Sequence, residues 1–329
     1  MLYLHGVGHF HPENEITNKF LAGLDIGTSD EWIVERTGIR RRRTVLSLDY
    51  IRETRNQDIR AATEAATYTN AELGRRAAEL AITRAGIDRS EIGLVIGGSS
   101  APALLSPAEA CSAAAALGIE TAAFDVSSAC TSFGAAVYVL SLMQADRLPP
   151  YVLIVQAESL TRIVNYNDRR SAVLFGDGAV AAVISASIPG RAAILCSTLG
   201  SNPKSYNKVM IPWAGYFDQE GATVQSFAIK KTVSRLRALQ QKFGQSIDER
   251  MYFIGHQANL LMLDSVCRTC HIPDDRHLFN VVDFGNTGTA GSPAVLSANW
   301  EKFRTGDHVA LIGVGGGLSW TSTMIRFGA

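Results

Sequence analysis

The stretch Phe124-Asp-Val-Ser-Ser-Ala-Cys-Thr-Ser-Phe-Gly-Ala-Ala136 decides how the chain is read. Its apolar lead-in, ending at Val126, reads as a buried strand, and Ser127, Ser128 and Ala129 are small enough for a sharp turn. From Thr131 the spacing of Phe133, Val137, Leu140 and Met143 predicts a helix. Cys130 therefore stands where a strand runs into a helix N-terminus, beside unpaired backbone N–H groups and the positive end of the helix dipole. Such surroundings favour thiolate over thiol and make the sulfur a nucleophile. A cysteine among Ala and Ser also reads as a small buried hydrophobe. The elbow position and two polar residues further along weigh against that plainer reading.

Strands and helices alternate on both sides of this elbow. Before it come a strand at 2–8, a turn at 12–18 with Thr17 as a helix cap, and a short helix capped by Ser29 or Asp30. A polar loop with a helical turn over 44–70, a helix over 71–85 stopped by Gly86, a strand at 92–97 and a helix over 107–117 follow. After the elbow come a strand at 151–156 and two apolar runs around Phe175-Gly-Asp-Gly-Ala179, whose glycines let backbones approach closely. A second series then runs through strand 192–199, helix 223–243, strand 251–255, helix 258–269, strand 278–283, helix 291–303 and strands 308–314 and 318–327. The pattern argues for an α/β architecture of mostly parallel sheets sandwiched by helices, in two comparable halves, 1–185 and 186–329.

Composition narrows the function. The 329 residues hold 47% hydrophobic and 19% charged residues, as an ordinary soluble protein does. Lys plus Arg and Asp plus Glu both number 31, so no global charge points to nucleic acid or a membrane surface. The N-terminus shows no signal peptide and no apolar run is long enough to span a membrane. Five cysteines without a framework pattern fit a reducing cytoplasm. Cys267-Arg-Thr-Cys270 is a lone pair where structural zinc needs four ligands.

Two more polar residues sit at strand exits, as Cys130 does. His256 follows Met-Tyr-Phe-Ile-Gly, and Asn286 follows Val-Val-Asp-Phe-Gly. Ligands gather at the carboxyl ends of strands in α/β sheets, which lets the three converge. Cysteine, histidine and a side-chain amide suit acyl transfer or carbanion chemistry: the thiol takes the acyl group, and imidazole and amide donate to an enolate oxygen. The run Gly315-Gly-Gly317 can supply a backbone N–H to an oxyanion. Spacing alone leaves a Cys-His-Asn hydrolase and a condensing enzyme both open. Trp32 and Arg36 share a helix face and can stack a base and meet phosphate, or cover a core edge beside solvated arginines.

The chain resembles the β-ketoacyl-acyl-carrier-protein synthase III family of thiolase-fold condensing enzymes nearly end to end. The resemblance rests on Thr28-Ser-Asp-Glu-Trp-Ile-Val-Glu-Arg-Thr-Gly-Ile-Arg40, Phe124-Asp-Val-Ser-Ser-Ala-Cys130, Phe175-Gly-Asp-Gly-Ala179, His256-Gln-Ala-Asn259, Gly285-Asn-Thr287 and Gly315-Gly-Gly317. It implies a thiolase-like five-layered αβαβα sandwich of two similar halves, the first carrying Cys130 and the second His256 and Asn286, assembled as a homodimer. It implies ping-pong chemistry. Cys130 is acylated from an acyl-CoA or acyl carrier protein, with the N–H groups of Cys130 and Gly316 as oxyanion hole. A malonyl thioester then loses CO₂ while His256 and Asn286 stabilise the enolate, which attacks the acyl group. Trp32 and Arg169 would sandwich the adenine of CoA, and Arg36 and Asn259 would line the pantetheine route. No metal or held cofactor is implied, since CoA is a substrate.

Departures from the family pattern bear on substrate. Leu261 stands where fatty-acid-synthesis members carry a basic residue that docks the acidic carrier protein; Arg40 to Arg43, Lys230 or Arg235 are candidate replacements. Ser106 stands where acetyl-specific members have a Phe that floors the partner's acyl pocket, which predicts a longer or bulkier acyl group. The 44–70 stretch, longer than the housekeeping pattern and placed near the tunnel mouth, suggests an accessory or secondary-metabolism member. Asp283-Phe-Gly-Asn286 lacks the usual His before this Gly. A second reading transfers the acyl group from Cys130 to a hydroxyl, an amine or another carbon acid. A third makes the chain the silent subunit of a heterodimer, against which the intact Cys130, His256 and Asn286 argue.

Overall fold

The computed structural model describes residues 1–213, 215–244 and 250–328. Its strands are β1 (Leu2–Phe10), β2 (Asn14–Thr17), β3 (Arg41–Thr44), β4 (Ile92–Gly97), β5 (Ala122–Asp125), β6 (Tyr151–Glu158), β7 (Gly178–Ser185), β8 (Ala192–Gly200), β9 (Val209–Met210), β10 (Asp218–Gln219), β11 (Met251–Ile254), β12 (His308–Gly315) and β13 (Ser319–Phe327). Nine of them form one sheet in the order β11-β12-β13-β8-β1-β7-β6-β4-β5. β1 and β8 join its two sides, pairing antiparallel from Leu2 opposite Ile194 to Leu4 opposite Ala192. Counted outward from that seam, each side runs first strand, fifth, fourth, second. On the β1 side β5 adds a third; on the β8 side its counterpart is a single bridge between Phe253 and His277.

Alternation along the strands separates the layers. On β4, Leu94 and Ile96 face one core and Val95 the other; on β7, Val180, Ala182 and Ile184 face the first and Ala179, Ala181 and Val183 the second. The central core also holds Val309 and Leu311 of β12, and Phe133, Val137 and Leu140 of the helix Ser132–Leu142. Val295 and Leu296 of the helix Gly291–Ala298 join them, so two helices lie between the two sides of the sheet. Outside, Asn70–Ala85 and Glu109–Leu117 cover the β1 side. Gly221–Phe243 and Leu260–Cys270 cover the β8 side. Five layers result. Each fully buried Val, Leu or Ile contributes about 1.5–3 kcal/mol to holding them together.

The helix Asn70–Ala85 shows how local sequence sets one layer. Thr69 and Glu72 form a reciprocal capping box, and Gly86, with φ +68°, ends the helix in the left-handed region. Its Ala77, Ala78 and Ala81 are fully buried. It lies so close on β1 that a Cβ at Gly8 would stand 2.1 Å from the Ala77 carbonyl oxygen.

Several sequence expectations are corrected. The sheet is mixed: β4–β5, β4–β6 and β11–β12 are parallel, while β1–β7, β1–β8, β6–β7, β8–β13 and β12–β13 are antiparallel. The tight link from β12 to β13, for example, carries no crossover helix, so the chain must reverse. β5 is largely exposed because it is the sheet's edge, paired only with β4. Residues 278–283 form no strand: the apolar Val281 begins the short helix Val281–Phe284, which buries it. In the 44–70 stretch the expected helical turn is present and extended, as two short helices, Leu48–Thr54 and Ile59–Glu64, capped by Ser47 and Asp58. No helix among the described residues is long and apolar enough to cross a membrane.

Candidate active site

Cys130 is held by a turn that its own neighbours lock. The Ser128 N–H donates to Ser132 Oγ (2.8 Å), which donates to the Ala129 carbonyl (2.7 Å); Thr131 Oγ1 donates to the Ser128 carbonyl (2.7 Å). Ala129 takes φ +49°, an uncommon left-handed conformation for a residue with a Cβ. Ser132 opens the helix two residues beyond the thiol. From the other half of the chain, Gly315 at the end of β12 comes so near that a Cβ there would stand 3.0 Å from the Cys130 Cβ. The N–H groups of Cys130 and Gly316 and the Ser100 hydroxyl favour the Cys130 thiolate. These donors do not win in the resting site. Burial and the nearby Glu158 carboxylate push the thiol up to about 12, so the expected resting thiolate is corrected to a thiol.

His256 follows β11, and its ring is buried with Nδ1 lacking a hydrogen-bond partner. Burial pushes the imidazole down to about 4, so near neutral pH it is uncharged and carries one N–H. Gln257 braces the backbone here: its Nε2 donates to the Gly255 carbonyl (2.7 Å), while Oε1 accepts from the Asn280 (2.9 Å) and Val281 (3.2 Å) N–H groups. Asn286 is buried, and its Oδ1 accepts from the Gly288 N–H (3.0 Å), which commits Nδ2 to donating elsewhere. The Phe175-Gly-Asp-Gly turn fixes its backbone: Gly176 N donates to the Asn286 carbonyl (3.1 Å), and Asn286 N to the Leu174 carbonyl (2.9 Å). A Cβ at Gly176 would stand 2.2 Å from the Phe284 carbonyl oxygen, so the glycine permits this approach.

One cavity of about 260 Å³ joins these groups to the surface, lined by Cys130, His256, Asn286 and Gly316 and also by Trp32, Arg36, Arg169 and Asn259. Its wall is otherwise mainly apolar, with Leu174, Phe175, Phe217, Val224, Phe227 and Met262. Arg169 lies over the Trp32 ring at 4.8 Å and Arg36 at 4.5 Å. Arg169 also donates to the Gly27 carbonyl. Asn259 caps the helix Leu260–Cys270, accepting from Met262 N (3.1 Å), while its Nδ2 donates to the Arg36 carbonyl (2.8 Å). The cap thereby ties that helix to Asp30–Thr37, which carries Trp32 and Arg36.

Ser106 is not brought to this cavity; it is exposed in the 98–108 loop with Leu104 and Leu105. No residue of 44–70 lines the cavity either. Asn56 ties it instead to the wall behind, donating from Nδ2 to the Arg162 (2.7 Å) and Val164 (2.8 Å) carbonyls. Of the arginines read as a docking patch, Arg42 is fully buried and donates to Asn18 Oδ1 and the Val173 carbonyl, both at 2.5 Å. Arg41 and Arg43 pair with Glu15, and Arg41 with Asp283. Cys267 and Cys270 are buried in the outer core.

The sequence reading missed Ser100, Glu158 and Thr289. Glu158 ends β6, fully buried, and accepts from Ser99, Ser100 and the Thr289 N–H. Its one signal is a carboxylate two residues past Gln156, at the end of the mostly apolar run Val152 to Ala157.

Known proteins resemble this chain in sequence and fold. The family model described as 3-oxoacyl-[acyl-carrier-protein (ACP)] synthase III matches residues 124–203, and the model of its C-terminal part matches 240–327. The β-ketoacyl-[acyl-carrier-protein] synthase III of Campylobacter concisus is 33% identical, covering 98% of this chain and 96% of the relative. The crystal structure of the 3-oxoacyl-[acyl-carrier-protein] synthase III from Aquifex aeolicus superposes with a TM-score of 0.87 at 27% identity, covering 99% of this chain and 100% of the other. The priming β-ketosynthase of the R1128 polyketide biosynthetic pathway is similar at a TM-score of 0.83 and 26% identity, covering 99% and 96%. The fold is thus thiolase-like.

Proposed function

The chain belongs to the 3-oxoacyl-[acyl-carrier-protein] synthase III family and is an acyltransferase of that type, and we propose that it condenses a Cys130-bound acyl group of medium length or unusual shape with a malonyl thioester. The single observation that carries this reading is the shared cavity of Cys130, His256, Asn286 and Gly316.

In the first half-reaction the Cys130 sulfur attacks the thioester carbonyl of an acyl-CoA or acyl carrier protein, and the donor thiol leaves. The oxyanion that forms is met by the N–H groups of Cys130 and Gly316. In the second, the bond to the malonyl carboxylate breaks, CO₂ departs, and its electron pair becomes an enolate. The neutral His256 imidazole and Asn286 Nδ2 donate to the enolate oxygen. The enolate carbon then attacks the Cys130 thioester and expels the sulfur, which takes up a proton from solvent to restore the thiol, and the β-ketoacyl product leaves. No electron is lost or gained overall, so the sequence of steps needs no resident cofactor. Trp32 and Arg169 hold the adenine end of CoA, with Arg36 and Asn259 along the arm. Ser106 serves the pocket of a second copy in a homodimer.

Intact mass after incubation with acyl-CoAs from acetyl to decanoyl, followed by malonyl-CoA or malonyl carrier protein, tests the reading. A medium-chain adduct absent in Cys130→Ala and discharged by malonyl with CO₂ release is expected. An adduct that malonyl does not discharge would move the function to acyl transfer onto another nucleophile.

A further inference from the structure

Thr289 and Glu158 are both buried, and the steps above use neither. Glu158 ends β6, and its Oε1 accepts from the Thr289 N–H at 3.1 Å. The carboxylate also accepts from Ser100 N (2.9 and 3.1 Å), Ser100 Oγ (2.8 Å) and Ser99 Oγ (3.0 Å), so donors from segments far apart in the chain fix it. From that seat the Thr289 side chain reaches the other way, and its Oγ1 accepts from the Phe133 N–H at 2.8 Å. Phe133 lies in the first turn of Ser132–Leu142, where a backbone N–H has no partner within its own helix. The bond joins equivalent places, since Phe133 is three residues beyond Cys130 and Thr289 is three beyond Asn286. Asn286 itself accepts from Gly288 N (3.0 Å), the neighbour of Thr289. Cys130, Phe133 and Thr289 together line a small cavity of about 20 Å³. A different bond, between Thr131 Oγ1 and Ser319 Oγ (2.8 Å), ties the elbow to the strand after the glycine run and not to Asn286.

We propose that Thr289, seated on Glu158, is the positioning residue that sets the gap between the acyl group on Cys130 and the enolate held by Asn286. This deepens the condensing reading and rests on it. Acylation needs the sulfur and its oxyanion donors, and decarboxylation needs His256 and Asn286. Only the carbon–carbon bond needs both sets in register, because the enolate carbon must stand about 3–3.5 Å from the acyl carbonyl. A misplacement of about 1 Å can slow such a step about a hundredfold while each set stays intact. When the gap is right, the enolate carbon attacks the acyl carbonyl, the bond to sulfur breaks, and the β-ketoacyl thioester leaves. When the gap is too wide, the same electron pair takes a proton from solvent instead. The malonyl unit then leaves as an acetyl thioester, and Cys130 stays acylated. Thr289 therefore acts on the partition of the enolate, through the distance it fixes.

The test compares the intact protein with Thr289→Val and Thr289→Ser, each loaded with octanoyl-CoA and then given malonyl-CoA. Labelled CO₂, β-ketoacyl product, acetyl-CoA and the mass carried on Cys130 are followed together. Valine keeps the shape of threonine without the acceptor, and serine keeps the acceptor. The parent should form β-ketoacyl product and CO₂ in equal amounts. In Thr289→Val the product per CO₂ should fall about tenfold, with acetyl-CoA making up the balance. Its rates of Cys130 acylation and CO₂ release should stay within about threefold of the parent. Thr289→Ser should couple as the parent does. A Thr289→Val protein that couples fully would overturn the positioning role. So would one whose acylation and CO₂ release fall as far as its product, since a general loss of structure lowers all three alike. A parent that takes up no acyl group or releases no CO₂ would remove the condensing reading, and the positioning role with it. Amide hydrogen exchange supplies an arm free of substrate: the peptide holding Phe133 should exchange about tenfold faster in Thr289→Val than in the parent or Thr289→Ser. Equal exchange in all three would overturn the tie, whatever thioesters the protein accepts.

Discussion

The Arg169 guanidinium lies 4.8 Å from the centre of the Trp32 ring, at the mouth of the cavity that reaches Cys130. On the proposed reading, an adenine entering between the two would part them and exchange a cation–π contact for two stacking contacts.

Removing that clamp should weaken capture and leave the chemistry alone. Arg169→Ala or Trp32→Ala is expected to raise KM for acyl-CoA about three- to tenfold with kcat nearly unchanged, since the contact is made equally in ground and transition states. Steady-state kinetics decide the matter; an equal fall in kcat and kcat/KM would place the residues in the chemical step instead.

Asn286 presents its amide because Gly288 N occupies its Oδ1 at 3.0 Å. Asn286→Asp replaces the donor with an anion facing an enolate. Malonyl decarboxylation should fall about 10²–10³-fold while acylation of Cys130 continues. Labelled CO₂ release against adduct mass separates the two half-reactions.

Gly315→Ala should do the reverse. A Cβ there would stand 3.0 Å from the Cys130 Cβ and 3.1 Å from its nitrogen, pressing on the elbow and leaving His256 and Asn286 in place. Acylation should slow by about tenfold or more, a barrier increase of about 1.4 kcal/mol. Decarboxylation in the same variant should persist.

The buried His256 gives stability a signed pH dependence. Its folded value, about 4, lies below the unfolded 6.5, so its contribution is fully present above pH 6.5 and is lost as pH falls toward 4. Glu158 and Asp177, raised to about 7 and about 6, act in the opposite sense. They are common to parent and His256→Gln, so the difference between the two isolates the imidazole. The variant's stability relative to the parent should improve steadily between pH 6.5 and 4.5 in urea melts; parallel profiles would refute this.

Ser106→Phe tests chain-length control. If this loop closes a partner's acyl pocket, the substitution should shift adduct formation from medium-chain donors toward acetyl-CoA. An unchanged mass profile would remove the loop from that role.

The strand exits near Cys130 and at His256 were legible because each residue follows an apolar run, and ordered motifs extended that reading to Asn286, which follows a short helix instead of a strand, and to the residues along the cavity. Other features needed three dimensions. Residues 278–283 have the composition of a strand, yet only His277 bridges to Phe253, and the chain turns into a helix that buries Val281. The exposure of β5 follows from its place at the sheet edge, which no local pattern encodes. The thiol's high resting value comes first from burial and then from Glu158, which lies 28 positions along the chain and arrives through strand pairing. Arg42 looked like its neighbours in a basic run, but strand alternation turns it inward to Asn18 and Val173.

The sulfur comes from the first side of the molecule, and the imidazole, the amide and the Gly315–Gly316 backbone come from the second. Neither side holds a working centre alone. A chimaera that joins the first side of this chain to the second side of a distant relative would inherit both sets of reacting groups. It would still be inert unless the seam at β1 and β8 and the packing of the two central helices matched as well. Inheritance of activity therefore runs through the seam, and the two sides are constrained to diverge as a pair.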